Sequence, residues 1–247
     1  MEIRICKDRY ELGKSAAKFV ANAINEVIAE KGVARIALST GASQFDTLAS
    51  LIEEKVDWSK VEMFHLDEYV DLPETHGASF RKYLKEKFTT KVSLKAAYFV
   101  DGTEENRKAL CEKISESPID VGLIGIGENA HIAFNDPPAD FDVEDPYIVV
   151  NLNDTCKNQQ VGEGWFATAD DVPKQAVSMS VKQIMKCKKI VSCVPYAVKA
   201  DAVLKTVSGE LSNLVPATML KTHSDFTLYI DCESAVKLSI PAVWEVK

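Results

Sequence analysis

The chain has 247 residues, 46% of them hydrophobic and 27% charged, which is enough apolar material for one large core and excludes a disordered chain. Its net charge of −8 argues against nonspecific nucleic-acid binding. Six cysteines, at positions 6, 111, 156, 187, 193 and 232, form no CxxC pair, so neither a zinc ribbon nor a redox motif is expected. With no signal peptide recognised, they read as reduced thiols of a cytoplasmic protein. No apolar run approaches the roughly 18 residues that span a bilayer, so no membrane partner is expected.

Residues 2–6 alternate and predict a first strand. Residues 10–31 carry Ala, Phe, Val, Ile and Leu at helical spacing and stop before Gly32, a residue suited to a left-handed cap. A buried strand follows at 34–38 and runs into Ser39, Thr40, Gly41, Ala42 and Ser43, with a helix expected over 44–54. Strand, small-residue loop and helix offer N–H groups and hydroxyls to an anion. The Gly-Lys-Ser/Thr of a Walker loop is missing. A tight turn capped by Ser43 accounts for the same residues without a ligand.

Residues 61–65 predict a strand that delivers Leu66, Asp67, Glu68 and Tyr69 into a loop. Two carboxylates after an apolar strand suit a general base. They equally suit a solvated loop pair, or a turn capped by Asp67. Ser79 is placed to cap a helix bearing Phe80, Tyr83, Leu84 and Phe88. Further on come a strand at 96–100, a helix at 103–117 capped by Thr103, and a strand at 121–124.

The stretch 125–138, Gly-Ile-Gly-Glu-Asn-Ala-His-Ile-Ala-Phe-Asn-Asp-Pro-Pro, then lets the backbone turn at Gly125 and Gly127 and presents His131, Asn135 and Asp136. A strand ending in such a turn is a common ligand position in α/β proteins. A lone histidine there equally reads as a satisfied, partly buried ring. Residues 153–174 are polar and predict a long loop, either functional, such as a lid, or mobile. Strands follow at 176–181, 189–194 and 226–230, with a helix at 196–207. Lys199 falls in that helix's first turn, where the dipole disfavours a cation. A nearby anion resolves the conflict, as does simple solvation of the lysine. Strands alternating with helices predict a single α/β domain over 1–247: a mainly parallel, Rossmann-like sheet with helices on both faces.

Ser-Thr-Gly-Ala-Ser at 39–43, Leu-Asp-Glu-Tyr at 66–69, His76 with Ser79, Gly-x-Gly-x-x-x-His-Ile-Ala-Phe-Asn-x-Pro at 125–137 and Val-Pro-Lys at 172–174 together resemble the glucosamine-6-phosphate deaminase (isomerase) family. That family shares its fold with 6-phosphogluconolactonases. The Ile-Ala-Phe-Asn continuation favours the deaminase branch. The resemblance implies an enzyme that converts glucosamine 6-phosphate to fructose 6-phosphate and ammonia, with no cofactor and no metal. It implies Asp67 as the base that moves a proton between C1 and C2, and His131 as the ring-opening group. Asp136 and Asn129 fall in the histidine's supporting shell. Ser39, Thr40, Gly41, Ala42 and Ser43 fall on the phosphate loop, with Gly127 beside the substrate and Lys199 on the phosphate. The partner is a small hexosamine phosphate, and a homo-oligomer remains open.

Three positions depart from the family pattern. Asn129 stands in place of an Asp in Asp-Gly-His, either accepting a ring N–H without charge or presenting its NH₂ and favouring the wrong tautomer. In a serine protease such a change costs about 10⁴ in turnover. Asp136 replaces a Glu and is shorter by one methylene. Gly164-Trp165-Phe166 aligns with Arg-Phe-Phe, so a phosphate-contacting arginine is absent, with Lys157 or Lys174 as substitutes. These departures keep two alternatives open: a 6-phosphogluconolactonase, and a non-catalytic sugar-phosphate sensor with a decayed catalytic shell. No strong allosteric activation is expected, because the basic cluster of the long, activator-binding members is missing.

Overall fold

A computed structural model describes residues 1–239. Ten strands run in chain order: β1 (Glu2–Cys6), β2 (Ala34–Leu38), β3 (Val61–His65), β4 (Asp67–Tyr69), β5 (Ala96–Tyr98), β6 (Val121–Leu123), β7 (Tyr147–Asn151), β8 (Gln175–Met179), β9 (Lys189–Val194) and β10 (Phe226–Asp231). The α-helices are α1 (Arg9–Lys31), α2 (Phe45–Leu51), α3 (Phe80–Leu84), α4 (Glu104–Ser115), α5 (Asp154–Gly162), α6 (Val181–Met185) and α7 (Ala200–Ser208).

Seven strands form one sheet in the order β1-β10-β9-β6-β2-β3-β5, and every pair is parallel. Alternate residues feed two cores. Ile36, Leu38, Met63 and Tyr229 pack with Leu12, Val20 and Ile24 of α1, Leu48 of α2 and Leu84 of α3. Ala37, Phe64, Leu228 and Ile230 pack with Leu110 and Ile114 of α4, Ile184 of α6 and Val203 of α7. Burial on both faces explains why these strands read as apolar runs. The expected parallel sheet with helices on both faces is the one observed. No helix among the described residues is long and apolar enough to cross a membrane.

The chain order reverses between β2 and β6. After β2 the chain builds toward β5, and after β6 it builds toward β1. A crevice opens beyond the strand ends at such a switch point. The loops that leave β2 and β6 are 39–43 and 125–138.

The structure corrects the sequence reading in four places. The residues after β3 are not a loop: β4 enters a second, antiparallel sheet in the order β4-β8-β7. Residues 153–174 are not a structureless lid. Asn153 accepts the Cys156 N–H at 2.8 Å and caps α5, which buries Cys156 and Gln160. Such a cap contributes about 1 kcal/mol. Ser43 caps nothing; it lies inside a short 3₁₀ turn, Ala42–Gln44, that leads into α2. Lys199 is not a solvated lysine: it is 7% exposed. The other caps are found as read, with Gly32 left-handed after α1, Ser79 before α3 and Thr103 before α4.

Candidate active site

The two switch-point loops, β4, α5 and the turn before α7 enclose a cavity of about 190 Å³. Residues 39–43, Asp67, Gly127, His131 and Lys199 all line it, so nine residues expected from the sequence, on four stretches, converge. Asn129 and Asp136 do not line it; they stand behind His131.

The loop after β2 turns a set of unpaired donors toward the cavity. Gly41 adopts φ 97° and ψ 167°, a conformation open essentially to glycine alone. Among the described residues, the N–H groups of Thr40, Gly41, Ala42 and Ser43 have no hydrogen-bond partner in the protein, and the buried Ser39 hydroxyl has none either. Unpaired donors at low exposure are costly unless a ligand takes them. Lys199, the one cation among the lining residues, likewise has no ion pair among the described residues. Burial lowers its pKa, with Glu163 and Glu128 opposing the shift. Lys157 and Lys174, the substitutes considered for the absent arginine, do not line the cavity.

The two carboxyl groups of β4 point to opposite sides, as neighbours on a strand must. Glu68 accepts from the Ser79 hydroxyl at 2.8 Å and from the N–H groups of Tyr69 and Arg81 at 3.0 and 2.9 Å, and it pairs with the Arg81 guanidinium. It is spent on structure. Asp67 is buried at the cavity wall, and no group among the described residues donates to it. Burial, and then the charge of Glu68, push its pKa up to about 8. Neither the solvated pair nor the capping reading of these residues survives.

Across the cavity, Gly127 lets the backbone lie against the face of the His131 ring; a methyl there would overlap ring atoms. Asn129 Oδ1 accepts from the His131 backbone N–H at 3.1 Å and lies 2.7 Å from ring Nδ1. Its Nδ2 donates to Asp136 Oδ1 at 2.9 Å. A backbone donor on one side and a carboxylate acceptor on the other fix the amide orientation. Nδ1 therefore carries the proton, and Nε2 is left as the acceptor. The wrong-tautomer arrangement considered for Asn129 is not the one found. Asp136 Oδ1 is also 3.2 Å from Nδ1. Burial opposes ionisation of Asp136, but His131, Asn129 and the Cys156 thiol together outweigh it and lower its pKa. The shorter side chain at this position thus still reaches the ring. Asn135 takes no part: its amide donates to Ile132 O and Met179 O, both at 2.8 Å, and ties the loop to β8.

Several lining residues were given no role at the site by the sequence reading: Glu128, Gln159, Gln160, Glu163, Trp165 and Tyr196. Four of them come from α5 and its end. Asn153 followed by Asp154, a cap and a first-turn acid, was the available signal for that helix. Gln160 Oε1 accepts from the Tyr69 hydroxyl at 2.7 Å, which locks α5 onto β4. Tyr196 has φ 80° and ψ 143°, a strained backbone that costs on the order of 1–3 kcal/mol. The buried Asp231 carboxylate holds it by accepting the Tyr196 N–H at 3.1 Å.

The profile of the family described as glucosamine-6-phosphate isomerases/6-phosphogluconolactonase matches residues 7–229. A glucosamine-6-phosphate deaminase of Staphylococcus epidermidis is 36% identical over 89% of this chain and 94% of its own. One from Lacticaseibacillus paracasei is 31% identical over 97% and 99%. A solved monomeric glucosamine-6-phosphate deaminase superposes with a TM-score of 0.84 at 30% identity, covering 96% of this chain and 99% of its own. A 6-phosphogluconolactonase from Thermotoga maritima superposes with a TM-score of 0.77 over 93% and 99% at 13% identity, a likeness of fold alone. With that match across most of its length, the chain belongs to the glucosamine-6-phosphate isomerase/6-phosphogluconolactonase family.

Proposed function

We propose that the protein is a glucosamine-6-phosphate deaminase, with Asp67 as the proton-transfer base and His131 as the ring-opening group. One observation carries this reading: an unpaired carboxyl and an oriented imidazole face the same small cavity, whose far wall is an anion cradle. The phosphate seats on residues 39–43 and Lys199 and supplies binding energy that orients the sugar. His131 Nε2 takes the proton of the C1 hydroxyl and returns it to the ring oxygen, which opens the pyranose to the aldehyde. Asp67 then takes the C2 proton and delivers it to C1, passing through an enolamine, while a proton leaves the amino nitrogen and one is gained by O1, so that C1 becomes CH₂OH and C2 an imine. The resulting C2 imine adds water and releases ammonia, leaving fructose 6-phosphate. A carboxyl with a pKa of about 8 both accepts and returns a proton near neutrality.

Asn129 supports this reading rather than the decayed sensor, because its amide hands the His131 ring on to a carboxylate instead of leaving it unpartnered. The test is ammonia and fructose 6-phosphate release by the purified protein from a panel of amino-hexose 6-phosphates. Binding of these sugars without turnover would return the reading to the sensor. Hydrolysis of the 6-phosphogluconate lactone above its spontaneous rate would return it to the lactonase.

A further inference from the structure

We propose that Tyr196 is a phosphate-binding residue and that it relays the charge of Arg9, at the start of α1, to the anion loop. The inference rests on the sugar-phosphate reading of the cavity and deepens it. Its starting point is a charge deficit. A phosphoryl group carries close to two negative charges at neutral pH. The cavity offers it one cation, Lys199, together with the carboxylates of Glu128 and Glu163. The arginine that the family resemblance led one to expect is absent, and neither lysine considered for its place reaches the wall.

Tyr196 lines the cavity beside Lys199 and residues 39–43. Its hydroxyl accepts from Arg9 Nη1 at 3.0 Å, and the guanidinium also lies 5.6 Å from the centre of its ring. The hydroxyl's own proton has only the Ala42 carbonyl, at 3.5 Å, the outer limit of a hydrogen bond. This donor is thus polarised by a cation on one side and nearly unused on the other. The Ala42 N–H, one of the unpaired donors of the cradle, belongs to the same residue. Arg9 also lies 3.6 Å from Asp46 and donates to the Tyr10 hydroxyl at 2.5 Å, so it is held in place outside the loop wall and does not enter the cavity. Its charge reaches a bound anion through the tyrosine.

The backbone points the same way. A bulky residue at positive φ persists only where its surroundings over-determine it, and such residues cluster at ligand sites. Here the strut is Asp231, itself held by the Ser234 N–H at 2.8 Å. Glycine would fill this position without strain, so a tyrosine is favoured there by what its side chain does.

The experiment is calorimetric titration with inorganic phosphate, followed by steady-state kinetics with glucosamine 6-phosphate. Tyr196→Phe keeps the ring and removes the hydroxyl; it is expected to weaken phosphate binding about tenfold. The loss should fall on KM rather than kcat, since the hydroxyl acts remote from the reacting carbons. Arg9→Met, on the outer surface, should weaken phosphate severalfold. The double variant should bind no worse than Tyr196→Phe, because Arg9 acts only through the hydroxyl. Phosphate binding by Tyr196→Phe equal to the parent's overturns this inference and leaves the deaminase reading standing. Additive losses in the double variant overturn the relay. A parent that binds no phosphate overturns both.

Discussion

Asp67, at the start of β4, and Asp136, in the loop after β6, both hold their carboxyl groups away from solvent, yet their surroundings drive them apart. Asp67 faces the cavity with no donor, and burial lifts its pKa to about 8. Asp136 lies behind the catalytic candidate His131, takes the Asn129 amide and the ring Nδ1, and is lowered despite its burial. One site thus holds a carboxyl that titrates near working pH and another that stays ionised. This split is the one the proposed mechanism calls for: a raised group to transfer protons and a lowered one to orient and stabilise a neighbour. Glu68, one residue from Asp67, adds a third outcome, a carboxylate consumed entirely by α3 and its Ser79 cap.

The contrast breaks first at Asp67. Asp67→Asn is expected to lower kcat for ammonia release by about 10³, within the usual range for a general base. In the parent, kcat/KM should climb with pH along a limb centred near 8, because the base works only when ionised. Stability should run the other way. The folded-state pKa is raised from 3.8 to about 8, so the folded protein binds the extra proton between those values. Its stability is complete below the lower value and declines as pH climbs toward the upper one. Asp67→Asn should therefore melt above the parent at pH 8 and level with it near pH 4. A variant as active as the parent would remove Asp67 from the chemistry.

The other half is tested by moving the histidine without replacing it. Gly127→Ala places a methyl against the His131 ring. The ring must shift, and a displacement of this kind costs about 10² in kcat. A smaller loss is expected from Asn129→Ala, about tenfold, since Nδ1 loses its nearest acceptor but keeps Asp136 at 3.2 Å. Double-variant kinetics with Asp136→Asn sharpen the point: if the two residues act on one ring, their losses are not additive.

Much of this was legible in the residues. The apolar runs of β2, β3, β6, β9 and β10 stand out because both faces of the sheet are covered, and Gly32, Ser79 and Thr103 mark their helix ends by local chemistry. The loop 125–138 and residues 39–43, which line the cavity, stood out in the sequence because each follows a buried strand with glycine. What stayed hidden depends on distant partners. The polar helix α5 turns Gln159 and Glu163 toward the cavity, so its exposed-looking composition mimicked a loop. The short strand β4 becomes a strand only through pairing with β8, far along the chain. The orientation of the Asn129 amide is set by Asp136 and by the backbone of His131 together, which no linear pattern encodes.

The smallest effect is expected at Ala130, where the family resemblance led to a glycine. Its φ is 65°, a left-handed conformation that costs a side chain about 1–2 kcal/mol. Ala130→Gly relieves that cost. Against it stand the greater backbone entropy of glycine, about 0.5–1 kcal/mol, and the loss of a buried methyl worth about 0.8 kcal/mol. The methyl is fully buried in the core shared with Ile126 and Ile132, so that last contribution is present in full. The opposing effects nearly cancel, and the melting temperature should move by less than about 4 °C. A larger rise would show that the methyl is compressed rather than packed. A clear fall would show that the alanine fixes the turn between Asn129 and His131 more firmly than glycine does, which would place part of the histidine's positioning in the backbone rather than in its hydrogen-bond partners.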